Sequence, residues 1–429
     1  MMITTHEINR QEDVSELVGR LREVGSAGDD VTGAVRAIID DVASRGDTAL
    51  LELTERFDGV SVDRGSIEVP VPECEAALEA LDSPTRSALE KATGRIKAFA
   101  ARTVPADWTF EPAPGITVGR VSRPIGTVGI YVPGGRYPYP STVLMTGIPA
   151  RAAGVRELVL CVPPAADGSP HKATLAAASM LGDCRVFRAG GAQAIAAMAY
   201  GTQTIPRCDM IAGPGNRYVR EAKRLVSDIV TVDLEAGPSE VVIYLDGSAE
   251  PHFAAADLLA QLEHDPLAVA VLISERSDVL QRVRGALDPE ASTVDGTVSL
   301  VLSSGREVSL ALMNAMAPEH LELMVEGAEA LLPLVRSAGS VFLGPWSAVA
   351  LGDYIAGPSH VLPTGGTARR LSGLSASDFT RTMNVIKYTR EGLEADAADA
   401  TALASAEGLG NHARSVEIRR TFEAPGVEV

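Results

Sequence analysis

Short apolar runs, each ended by glycine or proline and followed by a helical pattern, recur from about residue 116 to residue 342. The run 127–132 ends in Pro133-Gly134-Gly135. The runs 157–162, 185–188 and 210–211 repeat the scheme, with Ala-rich helical stretches behind the first two. After Gly237-Pro238-Ser239 come a strand at 240–245, a helix at about 251–264 and a strand at 268–274. Such alternation predicts a parallel sheet with helices on both faces. The expected fold class is therefore α/β: two Rossmann-like, incomplete parallel-sheet domains joined near residue 239.

The flanks read differently. Residues 31–57 carry apolar side chains at helical spacing (Val35, Ile38, Ile39, Val42, then Leu50, Leu51, Leu53), interrupted near Arg45-Gly46-Asp47. A further helix opens at Asp82-Ser-Pro-Thr-Arg86, with Ser83 as the expected N-cap and Pro84 at the first helical position. The stretch from about residue 374 to the end is expected to be helical and polar, an arm more than a core. No internal repeat is visible, and the only biased tract is the Ala-rich stretch 394–406.

Charge narrows the partners. The 429 residues hold 38 Lys and Arg against 56 Asp and Glu, a formal charge of −18, and only five of the basic residues are lysines. With no clustered cations to neutralise phosphates, nucleic-acid binding is disfavoured. The acidic balance fits a soluble protein with a cationic substrate or a salty cytoplasm. No apolar run approaches the ~18 residues of a membrane span, and the polar N-terminus lacks the apolar core of a signal peptide. Cys74, Cys161, Cys184 and Cys208 are widely spaced, without a C-x-x-C pair. They build neither a zinc finger nor a disulfide scaffold, and Cys161 in ELVLCV reads as a small core residue. The expectation is a reduced, cytoplasmic protein.

Phosphate chemistry has no Walker loop, because no Gly-Lys dipeptide occurs. Three strand-to-helix turns are glycine-rich: Val132-Pro-Gly-Gly135, Arg188-Ala-Gly-Gly-Ala-Gln193 and Ala212-Gly-Pro-Gly-Asn216. Each frees backbone N–H groups that can hold a pyrophosphate, and each is also ordinary turn chemistry. On a helix, Asp257, Gln261 and His264 share one stripe, which either lines a pocket or is a solvated face. Glu319-His320 follows Ala317-Pro318, at a helix start or rigid turn, and pairs two groups suited to acid and base roles. Asp353 and His360 lie in a Gly/Pro-rich but packed loop, 344–366, and His412 stands in the tail near Glu407. Two His and a carboxylate would suit zinc, though spacing alone cannot bring them together.

These motifs coincide with one family. The chain resembles histidinol dehydrogenase through Arg45-Gly-Asp-x-Ala-Leu50, Phe57-Asp-Gly-Val60, Tyr131-Val-Pro-Gly-Gly135, Pro140-Ser-Thr142 and Arg188-Ala-Gly-Gly-Ala-Gln-Ala-Ile195. The match continues in Gly213-Pro-Gly-Asn216, Ala236-Gly-Pro-Ser-Glu240, Gln261-Leu-Glu-His264, Ala317-Pro-Glu-His-Leu321 and Gly339-Ser-Val-Phe-Leu-Gly344. Gly352-Asp-Tyr354, Ser359-His-Val-Leu-Pro-Thr364 and the stretch from Glu407 to His412 complete it. The resemblance implies a zinc-dependent, NAD-linked oxidation of L-histidinol through L-histidinal to L-histidine, the last step of histidine biosynthesis. It implies Zn²⁺, one per subunit, on Gln261, His264, Asp353 and His412, with Glu319 activating water and His320 taking the alcohol proton. Ser239 and Glu407 are the matching substrate contacts, alongside the zinc ligands and the catalytic pair. Tyr131, Gln193 and Asn216 are the matching NAD contacts.

By the same resemblance the protein is a homodimer whose C-terminal arm brings Glu407 and His412 to the partner's site. The expected division is an N-terminal helical extension (1–22), a discontinuous first α/β domain (23–132 with 240–373), an NAD-side second domain (133–239) and a dimer arm (374–429). A dehydrogenase of another small polyol would keep zinc and NAD but lose the histidinol-reading contacts, which Ser239 and Glu407 supply. A non-catalytic binding module is disfavoured by Glu319 and His320. An ordinary aldehyde dehydrogenase is disfavoured because no cysteine sits in a glycine-rich catalytic turn.

Overall fold

Two six-stranded sheets carry the fold, and they are wound the same way. In one, Thr127–Tyr131 lies centrally between Glu157–Val162 and Met210–Ala212, with Arg185–Arg188 and Thr231–Val232 outside them. The short strand Glu68–Val69 closes its edge antiparallel to Arg185–Arg188. In the other, Glu240–Leu245 takes the central place between Val269–Ser274 and His320–Met324, with Thr297–Ser303 and Ser340–Leu343 beyond. Counting each sheet's parallel strands along the chain from its central one gives the order 3-2-1-4-5 twice. The winding repeats although the sequence shows no repeat. In each sheet it reverses between strands 1 and 4, where an open α/β sheet leaves a crevice.

The computed structural model describes residues 1–23, 30–134, 137–233, 237–264, 267–290 and 294–422. Both six-stranded sheets belong to one unit, Met1–Val104 with Ile125–Phe379. Their central strands are buried on both faces, which is why they read as continuous apolar runs. Leu158 and Leu160 face one core, and Val159 and Cys161 the other. After the second sheet ends, the chain returns to the first: Val361, Leu374, Ala376 and Phe379 pack in the core that holds Val128, Val143 and Leu160. The Ile125 N–H donates to the Phe379 carbonyl there.

The other unit is Pro105–Pro124 with Thr380–Val429. It holds an antiparallel sheet of Thr380–Tyr388, Ile116–Pro124 and Trp108–Ala113, and the helices Arg390–Ala406 and Gly410–Arg420 packed on each other. Trp108, Phe110, Ile386, Leu403 and Ile418 leave their side chains exposed.

Several expectations change. The N-terminal extension begins as a strand, Met2–Ile8, parallel to Thr297–Ser303; only Val14–Glu23 is helical. Its β-branched Ile3, Thr4, Thr5 and Ile8 suit an edge. Residues 23–132 do not join 240–373: Thr127–Tyr131 is central in the other sheet, and Val35, Ile39, Leu50 and Leu53 share a core with Val159 and Cys161. The tail carries the strand Thr380–Tyr388, whose polar, largely exposed pattern gives no core-facing alternation to read. Asp82, not Ser83, caps Ser83–Ala100, because its side chain accepts the Thr85 N–H. The four cysteines are free, and burial pushes the Cys161 thiol up, as befits a core residue. No helix among the described residues is long and apolar enough to cross a membrane.

Candidate active site

The turn Ala317-Pro318-Glu319 delivers the chain into the strand His320–Met324, beside the central strand Glu240–Leu245. Ala317 adopts left-handed backbone (φ 43°), the only such non-glycine among the described residues. Pro318 and Glu319 then form a rigid turn into a strand, with no helix start, and both Glu319 and His320 are buried. Gly339 N–H donates to the Pro318 carbonyl and Ser340 N–H to that of Glu319. A Cβ at Gly339 would lie 2.6 Å from the Glu319 carbonyl oxygen, so the close approach requires glycine.

The Glu319 carboxylate accepts the Glu240 N–H at 2.9 Å and is hydrogen-bonded to the Ser239 hydroxyl. Burial pushes this carboxyl well above the usual carboxylate range; the Glu240 N–H pulls it back, and the Asp353 and Glu240 carboxylates push it further. His320 stands between two acids. Its Nδ1 is 3.7 Å from Glu319 Oε2 and its Nε2 3.7 Å from Asp353 Oδ1. Its ring packs against Phe342, with centroids 5.9 Å apart, and a Cβ at Gly352 would meet the Phe342 ring at 2.6 Å.

Asp353 lies in the last turn of the short helix Val349–Tyr354, and burial pushes its carboxyl up to about 7. Its carbonyl lies 2.9 Å from His360 Nδ1, and His360 Nε2 lies 3.3 Å from the Thr142 hydroxyl. His320, Phe342, Asp353 and His360 line a cavity of about 510 Å³.

Gln261 projects from the helix Pro251–His264, which packs against Val349–Tyr354. It is buried, and its Nε2 has no hydrogen-bond partner among the described residues. Asp257, one turn earlier, faces the carboxyl of Glu322 in the strand His320–Met324. Two carboxyls can meet in this way only if one keeps a proton, and burial pushes both upward. The stripe Asp257-Gln261 is thus interior, not a solvated face. The side chain of His264 lies outside the described residues. Among those described, no group of three His, Cys, Asp or Glu could hold a metal ion. Glu407 and His412 belong to the second unit and are exposed there.

The glycine turns lie at the carboxyl ends of the first sheet. Tyr131 ends the central strand, and its hydroxyl accepts the Gly191 N–H at 3.2 Å. Gln193 is buried in the first turn of Gly191–Tyr200, with its Nε2 unpartnered among the described residues. Asn216 caps Arg217–Val226 by accepting the Tyr218 and Val219 N–H groups. Behind it, Asp233 accepts the Gly213 N–H and pairs with buried Lys223, which donates to the Gly213 carbonyl. Gly135 and Ala236 lie outside the described residues.

Sequence reasoning missed Phe342, the Asp257–Glu322 pair and the Lys223–Asp233 clamp. Only Asp257 carried a signal, through its shared stripe with Gln261.

A sequence model of the family described as histidinol dehydrogenase matches residues 22–420. Histidinol dehydrogenase of Syntrophotalea carbinolica is 44% identical over 91% of this chain and 92% of its own. That of Methanothermobacter thermautotrophicus is 44% identical over 98% of this chain and 99% of its own. The crystal structure of histidinol dehydrogenase from Elizabethkingia anophelis superimposes with a TM-score of 0.91 at 35% identity, covering 97% of each chain. The buried Glu-His pair, the paired sheets and these similarities agree: the chain belongs to the histidinol dehydrogenase family of oxidoreductases.

Proposed function

We propose that the protein oxidises L-histidinol through L-histidinal to L-histidine, a four-electron reaction consuming two NAD and one water. The observation that carries this reading is the His320 imidazole held 3.7 Å from each of two acids, buried Glu319 and half-buried Asp353, beside the cavity. An imidazole so flanked can take the alcohol proton and pass it on. Glu319, made more basic by burial and aimed by the Glu240 N–H and the Ser239 hydroxyl, takes the proton of the water that attacks the aldehyde. One site then serves both half-reactions, with separate bases for alcohol and water.

Zinc fits the donor set. Gln261, His264, Asp353 and His412 offer oxygen and imidazole ligands, and an interior carboxyl pushed up to about 7 would be relieved by a cation. When bound, zinc supplies a template and electrostatic clamp for the substrate's imidazole and amine. Ser239, Glu319, His320 and Glu407 complete the substrate contacts. NAD, accepting hydride, would lie on the glycine turns, held by Tyr131, Gln193 and Asn216. Unpartnered Gln193 Nε2 and the N-terminus of Gly191–Tyr200 suit a pyrophosphate.

The exposed apolar side chains of the second unit support a homodimer in which its arm gives Glu407 and His412 to the partner's site. The test is stoichiometry: zinc-loaded enzyme should form two NADH per L-histidinol consumed, with little free aldehyde. One NADH per alcohol, or activity only on another diol, would overturn the reading.

A further inference from the structure

The helix Asp47–Asp58 ends in a carboxyl that the reaction leaves without work. Oδ2 of Asp58 is buried with no hydrogen-bond partner among the described residues. Its Oδ1 would be 3.1 Å from a Cβ at Gly190, and Pro163 would be 2.8 Å from the same position. Pro163 also lies 3.1 Å from where a Cβ at Gly134 would stand. Asp58 therefore sits where the turns after Thr127–Tyr131, Glu157–Val162 and Arg185–Arg188 converge, beside the N-terminus that carries unpartnered Gln193 Nε2. No cation among the described residues answers it. Burial pushes it up to about 6.

A buried acceptor beside a pyrophosphate-binding turn is matched by vicinal hydroxyls, which donate to a carboxylate without adding charge. We propose that Asp58 reads the 2′- and 3′-hydroxyls of the dinucleotide's adenosine ribose and sets preference for NAD over NADP. The choice of ribose follows from the sheet. The groups of the first sheet that approach the catalytic loop follow its central strand, as Thr142 does on His360. Gly190 follows a strand two places away, about 10 Å across the sheet, so the ribose met there is the one farther from the hydride. A 2′-phosphate would bring a dianion against the Asp58 carboxylate, which repels it.

This rests on the NAD reading above, and the experiment separates the two. NAD and NADP kinetics and calorimetric NAD binding are measured on the intact protein and on Asp58→Asn and Asp58→Ser, each checked for folding by thermal melt. NAD KM and Kd should rise roughly ten- to a hundredfold with kcat little changed. The NAD-over-NADP preference should fall by about tenfold or more. On unmodified protein, NAD lacking the adenosine 2′-hydroxyl should bind correspondingly more weakly, so the idea is tested even if both variants misfold. Unmodified protein that binds no NAD would remove both readings. Tight NAD binding unaffected by either variant and by loss of the hydroxyl would overturn the role of Asp58 alone. Weaker binding only of analogues altered at the nicotinamide ribose would overturn the choice of ribose.

Discussion

The Glu319 carboxylate accepts the backbone N–H of Glu240 at 2.9 Å, so the candidate base is tied to the amino end of the neighbouring parallel strand. The two strands meet where the winding of the sheet reverses. In the first sheet Tyr131 and the glycine turns stand at the carboxyl ends of the matching strands. The second sheet presents Ser239, Glu319 and His320 at its amino ends. The proposed chemistry and the proposed cofactor grip thus occupy opposite strand ends of two sheets with one winding.

Glu319→Gln should separate the half-reactions. An amide keeps the hydrogen bond to Glu240 but cannot take a proton from water. Oxidation of histidinal should fall by about 10²–10⁴-fold, while alcohol oxidation is affected far less. Single-turnover kinetics on each substrate measure this; an equal loss in both steps would contradict the assigned role.

Gly339→Ala tests the turn beneath the site. The new methyl would lie 2.6 Å from the Glu319 carbonyl oxygen and 3.2 Å from Leu362. We expect destabilisation of about 1–3 kcal/mol with displaced Glu319 geometry and lower kcat. Urea unfolding and steady-state kinetics check both, and an unchanged protein would show that this approach tolerates a side chain.

The homodimer reading predicts complementation. His412→Ala and Glu319→Gln should each form almost no histidine from histidinol. Unfolded together and co-refolded, they form mixed dimers in which one site has an intact Glu319 and receives His412 from its neighbour. Random pairing then restores about a quarter of full activity. No recovery, with mixed dimers demonstrated by native mass spectrometry, would place the arm in its own subunit's site.

Asp58 gives a pH-dependent signature without dinucleotide. Its carboxyl is pushed up to about 6 in the folded protein, so the folded state disfavours the ionised form. Stability from this group is present at low pH and lost as the pH rises through 6. Asp58→Asn should therefore be more stable than the parent at pH 8, by about 1 kcal/mol once solvent screening of a partly exposed carboxyl is allowed for. The gain should shrink as pH falls from 6 toward 4. Urea titrations at pH 8 and pH 5 test this; a gain independent of pH would mean that Asp58 is not the cause.

Much of this was legible in the sequence because both sheets are interior. Strands covered on both faces must be continuously apolar, and turns that release N–H groups must carry glycine, so 157–162, 240–245 and the glycine turns stand out. What was not legible depends on a single partner. Met2–Ile8 and Thr380–Tyr388 have too little burial to imprint a pattern. The helices at 32–58 could serve either sheet by periodicity, and only Val35 and Leu50 meeting Val159 and Cys161 decide it. Glu322 reads as one polar residue in an apolar strand until Asp257 is found beside it. The adjacency of Glu319 and His320 is legible, but Asp353 reaches His320 from a separate helix, which no spacing rule anticipates.

The return of residues 361–379 into the first sheet's core has a mechanical consequence. Asp353 and His360 sit on a segment whose far end, Phe379, is fully buried beneath the glycine turns' own sheet. Loss of that aromatic anchor would cost about 3–5 kcal/mol, judged by removal of a buried Phe, so the segment is fastened firmly to the first sheet. The loop bearing Asp353 and His360 is therefore held at both ends, by Ser340–Leu343 in the second sheet and by Val361 and Phe379 in the core of the first.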